Sequence, residues 1–278
     1  MPLWVIILVL GIIEGITEFI PISSTGHLII TEKLFAETGA LGPDHWLVKA
    51  GPLKDLFNVV IQSGAVLAVL PLFPERLRQF FFEWRKPETQ MYLLKIAVAF
   101  GITGVGGLIL EKNHFTLPEH LLPVTIALAA GGVLFLLVER GLRGRKLLEE
   151  ISWPIVIAVG VGQLIAAVFP GTSRSGATIL LALCFGLSRP LATEFTFLVG
   201  IPTMLSAGGL KIFKALQQTS GAPAEYWPMV MLGFVAAAIV SFIAVKWLLR
   251  YVQTHTFVLF GWYRIVLAAV LLMVLLLA

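Results

Sequence analysis

Long apolar stretches dominate the pattern of hydrophobic and polar positions along the chain. Six of them contain about 20 residues with few charges, which is the length that an α-helix needs to cross the hydrocarbon core of a bilayer. The predicted spans are residues 57–73, 92–110, 120–138, 193–210, 228–248 and 257–277. The pattern therefore predicts an all-α polytopic membrane protein with about six full transmembrane helices.

Two further apolar regions are interrupted near their middle. Residues 3–35 are broken at 21–26, and residues 153–187 are broken at 170–176, where proline, glycine and hydroxyl residues cluster. Proline and glycine end helices. Backbone groups freed inside a membrane need partners, so such breaks occur where they are buried in protein or line a wet cavity. Each region is predicted to form a re-entrant helical hairpin or a pair of short spans.

The two interrupted regions resemble each other in sequence. Glu14 lies seven residues before Pro21, and Gln163 lies seven residues before Pro170. After each proline comes a short stretch rich in hydroxyl side chains and then a glycine. This similarity predicts that the chain contains an internal repeat.

The predicted repeats are residues 1–150 and 151–278 of a single membrane domain. Each repeat contains one hairpin followed by three spans. Because three is an odd number, the repeats have opposite orientations, so we expect an inverted-topology repeat. Folds of this kind commonly place their site where the broken helices meet near the membrane midplane.

The distribution of positive charge predicts the orientation in the membrane. The loops at 74–91 and 139–152 each carry four Lys or Arg residues and are separated by two predicted spans, so they lie on the same side. Cytoplasmic loops are enriched in Lys and Arg, which places both loops inside. The first hairpin then enters from outside, the second enters from inside, and both termini lie on the outer side.

Composition excludes a soluble protein and a nucleic-acid-binding protein. The chain is 58% hydrophobic and only 13% charged, with a mean hydropathy of +0.93, whereas soluble chains are roughly 25% charged. The net charge of +4 arises from basic residues in loops, without a basic stripe interleaved with aromatics. Cys184 is the only cysteine, so an intrachain disulfide is excluded.

The first break carries an unusual set of polar residues. Glu14 and Glu18 are four residues apart and share one helical face. A carboxylate pair buried in a membrane persists if it shares a proton, binds a cation or faces a cationic partner; the structural alternative is that both carboxylates reach an interface. Beyond the proline, Ser24 and His27 flank Thr25 and form a candidate nucleophile–base pair.

The second break is predicted to bind an oxyanion. Arg174 lies deep in an apolar segment, where a charge is costly, and its guanidinium suits phosphate or carboxylate. Gly171 and Gly176 let a ligand approach the backbone, and the helix that follows offers N-terminal amides. In the structural alternative, Arg174 only neutralises the glutamates of the first break. The surrounding hydroxyl residues are Thr172, Ser173, Ser175 and Thr178.

Together the two breaks indicate phosphoryl chemistry, with two carboxylates that can hold Mg²⁺ or Ca²⁺. A transporter is the alternative from another class, because inverted repeats with paired broken helices are a transporter architecture. A nucleophile–base pair beside a cation site favours catalysis.

Outside the breaks, we expect Gln62 to hydrogen-bond within the bundle and Glu194 to pair with Arg264.

The motifs at both breaks resemble those of a known family. EGITEFIPISSTGH at 14–27 and PGTSRSGAT at 170–178 are similar to motifs of the undecaprenyl-diphosphatase family, also called the bacitracin-resistance proteins. Segments 57–64 and 192–197 add to a resemblance that spans essentially the whole chain. Thr196 stands where many members have Ser, and loop 36–55 matches no pattern that we can assign to a role.

The resemblance implies hydrolysis of undecaprenyl diphosphate to undecaprenyl phosphate and inorganic phosphate. The product is the lipid carrier for cell-wall building blocks. It further implies a bacterial inner-membrane protein with two re-entrant hairpins, a divalent cation, a homodimer, and a site facing the outer side. A polyprenyl-phosphate transporter or flippase of the same architecture is the alternative.

The resemblance also implies residue roles. Ser24 would be the nucleophile and His27 its base or the acid for the leaving group, with a His27-based or water-based route left open. Glu14 and Glu18 would position a divalent cation or accept protons, and Arg174 would stabilise charge in the transition state. The predicted diphosphate-binding residues are Thr25, Gly171, Ser173, Arg174, Ser175 and Thr178.

Overall fold

The computed structural model describes residues 1–42, 44–49, 51–113, 120–216 and 223–277, and this part of the chain is almost entirely helical. One short 3₁₀ turn follows the third α-helix. The eleven α-helices of these residues are Leu3–Thr17 (α1), Ser24–Glu37 (α2), Pro52–Val69 (α3), Pro74–Phe82 (α4), Pro87–Lys112 (α5), Leu121–Gly141 (α6), Trp153–Val168 (α7), Arg174–Cys184 (α8), Arg189–Leu216 (α9), Tyr226–Tyr251 (α10) and Val258–Leu277 (α11).

Six helices are long and apolar enough to cross a membrane, namely α3, α5, α6, α9, α10 and α11. They coincide with the six predicted spans, and all-α polytopic membrane architecture is thereby confirmed. Several of them begin earlier than the apolar runs, because a proline fits the first turn of a helix, where its missing N–H costs no hydrogen bond. Pro52 and Pro87 occupy such positions.

Helix α4 was not predicted from the sequence, which indicated only a basic loop at 74–91. The helix has nine residues and an amphipathic rather than apolar pattern, so a search for long apolar runs misses it. Its Arg76 binds Glu194 of α9 at 2.7 Å and lies 4.2 Å from the centre of the Tyr92 ring. The predicted pair between Glu194 and Arg264 is therefore wrong.

Each interrupted region forms two short helices joined by a tight turn. Helices α1 and α2 contain 15 and 14 residues, and α7 and α8 contain 16 and 11, which is shorter than the roughly 20 residues of a full span. The members of each pair pack on each other. We use the name hairpin turns for residues 18–23 and 169–173.

Both hairpin turns end in the same rare backbone conformation. Ser23 has φ 75° and Ser173 has φ 68°, and these are the two non-glycine residues with positive φ among the described residues. Such values are uncommon for residues with a Cβ. Each serine hydroxyl accepts a hydrogen bond from an amide one turn ahead, from Gly26 at 3.3 Å and from Gly176 at 3.2 Å. The side chain thus satisfies one exposed amide of the following helix.

The hairpin turns lie inside the helix bundle. Phe19 is fully buried and packs edge-to-face on Phe197 of α9, with ring centres 4.9 Å apart. Gly171 has φ 88°, and a Cβ there would lie 2.7 Å from the Cα of Val124 in α6. The first turn is thus buried among the spans, and the second packs against α6 while its Phe169 is 47% exposed.

Candidate functional site

Polar side chains from both hairpins meet at Glu18. This carboxylate follows the last turn of α1 and is 6% exposed. Its Oε2 accepts a hydrogen bond of 2.6 Å from the Ser24 hydroxyl, and its Oε1 lies 3.4 Å from Nη2 of Arg174. The predicted nucleophile of one hairpin and the predicted cation of the other therefore share a single carboxylate.

Glu14 lies one helical turn before Glu18 and is 2% exposed. Its Oε2 is buried without a hydrogen-bond partner among the described residues. The Oδ1 atom of Asn58 in α3 is likewise buried without such a partner in the described part of the chain. Buried oxygens without partners are costly, and these two line the same cavity.

The cavity has a volume of about 490 Å³ and joins the first hairpin to α3 and α9. Its polar wall includes Glu14, Ser24 and Thr25, and Gln62 approaches Glu18 with an amide nitrogen at 3.5 Å. At its other end lie three lysines, one of which binds Glu32 at 2.6 Å. These lysines are Lys33, Lys54 and Lys211.

Arg174 is held in position by small and aromatic neighbours. Its guanidinium lies against Gly200 of α9, where any Cβ would overlap it, and it stands 5.7 Å from the Phe19 ring centre. Nη2 binds Glu18, whereas Nη1 is buried against Gly200 without a hydrogen-bond partner among the described residues.

The hydroxyl groups near Arg174 are engaged by protein atoms. Ser173 caps α8 and lies 3.1 Å from the hydroxyl of Ser175, which donates to the carbonyl of Ile20 at 3.4 Å. Thr178 donates to the carbonyl of Arg174 at 2.8 Å. Ser175 and Thr178 are 0% exposed, and their hydroxyls bond to the first hairpin turn and to the first turn of α8, respectively.

The structure directs His27 away from Ser24. Its Nδ1 lies 2.7 Å from the carbonyl of Ser23 and must be the donor, because a carbonyl only accepts. In the neutral ring, Nε2 then accepts from the hydroxyl of Tyr263 in α11 at 2.7 Å, and the two rings are stacked. Both ring nitrogens are occupied, and the Ser24 hydroxyl binds Glu18 instead.

A family model described as bacitracin resistance protein BacA matches residues 7–270, which include both hairpin turns and five complete spans. The chain belongs to this family. The resemblance inferred from the two motifs is thereby confirmed.

Relatives in this family carry a functional name. Undecaprenyl-diphosphatase of Rhizobium etli (strain CFN 42) is 47% identical over 265 residues, which cover 95% of this chain and 94% of that protein. The proteins of the same name from Xanthomonas oryzae pv. oryzae (strain PXO99A) and Xylella fastidiosa (strain 9a5c) are each 45% identical, over 267 and 266 residues. The alignments cover at least 95% of this chain and of those two proteins.

Three residues of the site were missed or misassigned in the sequence analysis. Asn58 lay within a segment noted only for its similarity to the family, and Tyr263 looked like any aromatic residue of a span. Arg264 was expected to bind Glu194 but binds backbone carbonyls. The useful signal at Arg264 was its charge within an apolar run, since such residues have a specific partner by default.

Proposed function

We propose that the chain hydrolyses undecaprenyl diphosphate to undecaprenyl phosphate and inorganic phosphate, and thereby recycles the lipid carrier for cell-wall synthesis. The observation that supports this most directly is the contact of Ser24 and Arg174 with opposite oxygens of Glu18. The site thus combines three groups: a hydroxyl, a carboxylate that can accept its proton, and a cation for an anionic substrate. The name carried by the family relatives agrees with this chemistry.

In the proposed reaction, the Ser24 oxygen attacks the terminal phosphorus of the diphosphate while Oε2 of Glu18 takes the hydroxyl proton. The bond between that phosphorus and the bridging oxygen breaks, and undecaprenyl phosphate leaves with the bonding electrons. Water then attacks the phosphoserine, which releases inorganic phosphate and restores the serine. Glu18 replaces His27 as the acceptor here, because the hydroxyl already donates to it at 2.6 Å.

Arg174 would bind the terminal phosphate through its guanidinium and stabilise the charge that develops on the phosphate oxygens. Thr25 lines the cavity beside Glu14 and Ser24 and would bind the phosphate there. Ser173, Ser175 and the backbone of Gly171 shape the turn that presents the guanidinium. The route in which His27 or water acts directly, without a phosphoserine, is the alternative for the chemical step.

A divalent cation, Mg²⁺ or Ca²⁺, fits the oxygen atoms beside this site. Glu14 and Asn58 each offer a buried oxygen without a partner in the described part of the chain, and Glu18 adds a second carboxylate. The described residues contain no group of three or more His, Cys, Asp or Glu that could hold a metal alone. Substrate phosphate oxygens would complete the coordination, as is usual for Mg²⁺, and the ion would neutralise phosphate charge.

We also propose the finer topology inferred from the sequence. The protein would lie in the bacterial inner membrane with both termini and the mouth of the cavity on the outer side, and it would form a homodimer. The inverted repeat is supported by matching contacts, since α1 packs on α10 as α7 packs on α5. The corresponding hairpin turns would then enter from opposite sides of the membrane.

The experiment that tests the function is phosphate release from a polyprenyl diphosphate by the purified protein. Ser24→Ala should lower the rate at least about 1,000-fold, because the nucleophile is lost. Ser188→Ala is the matched control, since that serine binds Glu149 at the other end of α8. Release by Ser24→Ala at the wild-type rate would move the reaction to His27 or water. Binding without release by the wild type would favour a transporter.

A further inference from the structure

Arg264 of α11 connects the two hairpin turns directly. Its side chain is fully buried, and its Nη1 donates to the carbonyl of Pro21 at 3.3 Å and to that of Thr172 at 2.9 Å. Pro21 belongs to the first hairpin turn and Thr172 to the second. A single nitrogen atom therefore joins two segments that are more than 150 residues apart in the sequence.

The rest of the guanidinium is fixed to α6. Nη2 donates to the carbonyl of Ala127 at 3.0 Å, and Nε lies 3.4 Å from that of Leu128. We call these four contacts, with Pro21, Thr172, Ala127 and Leu128, the arginine clamp. All four acceptors are neutral carbonyls, so the clamp is unlike the ion pairs that usually accompany a buried charge.

Glycines make the space that the clamp occupies. A Cβ at Gly131 of α6 would overlap the guanidinium of Arg264, and a Cβ at Gly176 of α8 would lie 2.9 Å from Nη1. The helices also approach closely beside the clamp, since a Cβ at Gly132 would lie 2.7 Å from the carbonyl oxygen of Gly261. The planar fork of arginine is suited to several acceptors at once, which an ammonium group cannot reproduce.

The clamped carbonyls are adjacent to the reacting groups. Pro21 lies three residues before Ser24, and Thr172 lies two residues before Arg174. A shift of either hairpin turn therefore changes the distance between the serine and the arginine at Glu18. A misplacement of 1 Å by a change far from the chemistry can cost about 100-fold in rate.

We infer that Arg264 is a positioning residue for the reaction: it holds the two hairpin turns in register so that Ser24 and Arg174 meet at one carboxylate. The inference rests on the proposed function for its effect on turnover. Arg264 touches protein carbonyls rather than the reacting atoms. Its contribution is to geometry, which separates it from Arg174.

Gly131→Ala tests the clamp while keeping the arginine, and Gly141→Ala in the same helix is the matched control. A Cβ at position 141 meets nothing within 4 Å. We expect Gly131→Ala to lower kcat by at least about tenfold with KM changed less than about threefold, because substrate binding is retained while alignment is lost. Gly141→Ala should match the wild type. Equal kcat for the two variants would overturn the inference.

Arg264→Met and Arg264→Lys provide the second set of variants. We expect kcat to fall about 100-fold in Arg264→Met and less in Arg264→Lys, since a lysine can reach one turn but not both. In a third variant, Arg264→Ala, methylguanidinium added to the assay should restore part of kcat. A loss that disappears when rates are expressed per folded molecule, or wild-type kcat in Arg264→Met, contradicts the inference.

Amide hydrogen exchange gives a readout that does not depend on activity. Exchange in the two hairpin turns should accelerate in Gly131→Ala and Arg264→Met, and should be unchanged in Gly141→Ala, because opening of the turns is resisted by the clamp. Unchanged exchange in all variants overturns the clamp even if the protein is an active phosphatase. Accelerated exchange in Gly131→Ala and Arg264→Met, together with a wild type that releases no phosphate, would instead overturn the proposed function alone.

Discussion

Glu18 organises the site at the scale of single residues. The sequence identified this glutamate, Ser24 and Arg174 as residues of interest, because charges and hydroxyls are conspicuous in apolar segments. It did not show which groups touch. The nearness of Ser24 and His27 in sequence suggested a pair, whereas the helix directs the imidazole to Tyr263. Partners distant in sequence, such as Tyr263, leave no trace in local spacing.

Glu18→Gln should lower kcat about 100-fold or more, since general-base catalysis typically contributes 10²–10⁴-fold. The amide keeps the shape of the side chain but cannot take the serine proton. His27→Asn should have the smaller effect, because both imidazole nitrogens are already bonded to Ser23 and Tyr263. Steady-state rates of phosphate release compare the two. A larger loss in His27→Asn would restore histidine as the base.

Removal of divalent cations should stop turnover, and Mg²⁺ or Ca²⁺ should restore it. Glu14→Gln should raise the cation concentration needed for half-maximal activity, because it removes one of the oxygens that lack a partner among the described residues. A titration of activity against free cation after chelation measures both. Full activity in excess chelator would remove the ion from the mechanism.

At the scale of helices, apolar length and helix breakers were sufficient to predict six spans and two interrupted regions. These two signals are informative because a segment that crosses lipid must be long and must satisfy its own backbone hydrogen bonds. Two features of the helices could not be predicted in this way. Helix α4 is short and amphipathic, and Ser23 and Ser173 adopt positive φ where each caps the helix that follows. Neither property is encoded by a run of apolar residues.

The contact between α3 and α10 provides a prediction at this scale. A Cβ at Gly64 would lie 2.6 Å from the carbonyl oxygen of Phe234, so Gly64→Ala should destabilise the protein by about 1–3 kcal/mol. Gly107→Ala in α5 meets nothing within 4 Å and should be neutral or slightly stabilising. Thermal unfolding in detergent compares the two. Equal melting temperatures would show that the helices adjust without cost.

Charge asymmetry acts at the scale of the whole molecule. The basic loops predicted to be cytoplasmic are the one that contains α4, between α3 and α5, and the one that follows α6. Two spans, α5 and α6, separate these loops, so both lie on the same side of the membrane. Helix packing alone gives no direction relative to the membrane. Sequence therefore carries information about orientation that the geometry of the bundle lacks, and the geometry shows how the hairpins meet.

Cysteine labelling in whole cells should reveal this orientation. In a Cys184→Ser background, needed because Cys184 is exposed, a reagent that cannot cross membranes should label Lys112→Cys and spare Arg143→Cys. The two positions lie at opposite ends of α5 and α6. Labelling at position 143 and protection at 112 would reverse the orientation, with the cavity then opening to the cytoplasm.

The twin strained serines have a consequence for the ancestry of the protein. Ser23 and Ser173 bend the backbone in nearly the same way, yet the next residue is Ser24 in one turn and Arg174 in the other. In the proposed reaction, one half would supply the nucleophile without the cation, and the other would supply the cation without the nucleophile. Duplication of a half-length ancestor, followed by divergence of the two turns, would account for this pattern. Either half expressed alone would then be inert, and the two halves together would form the smallest unit on which selection for activity can act.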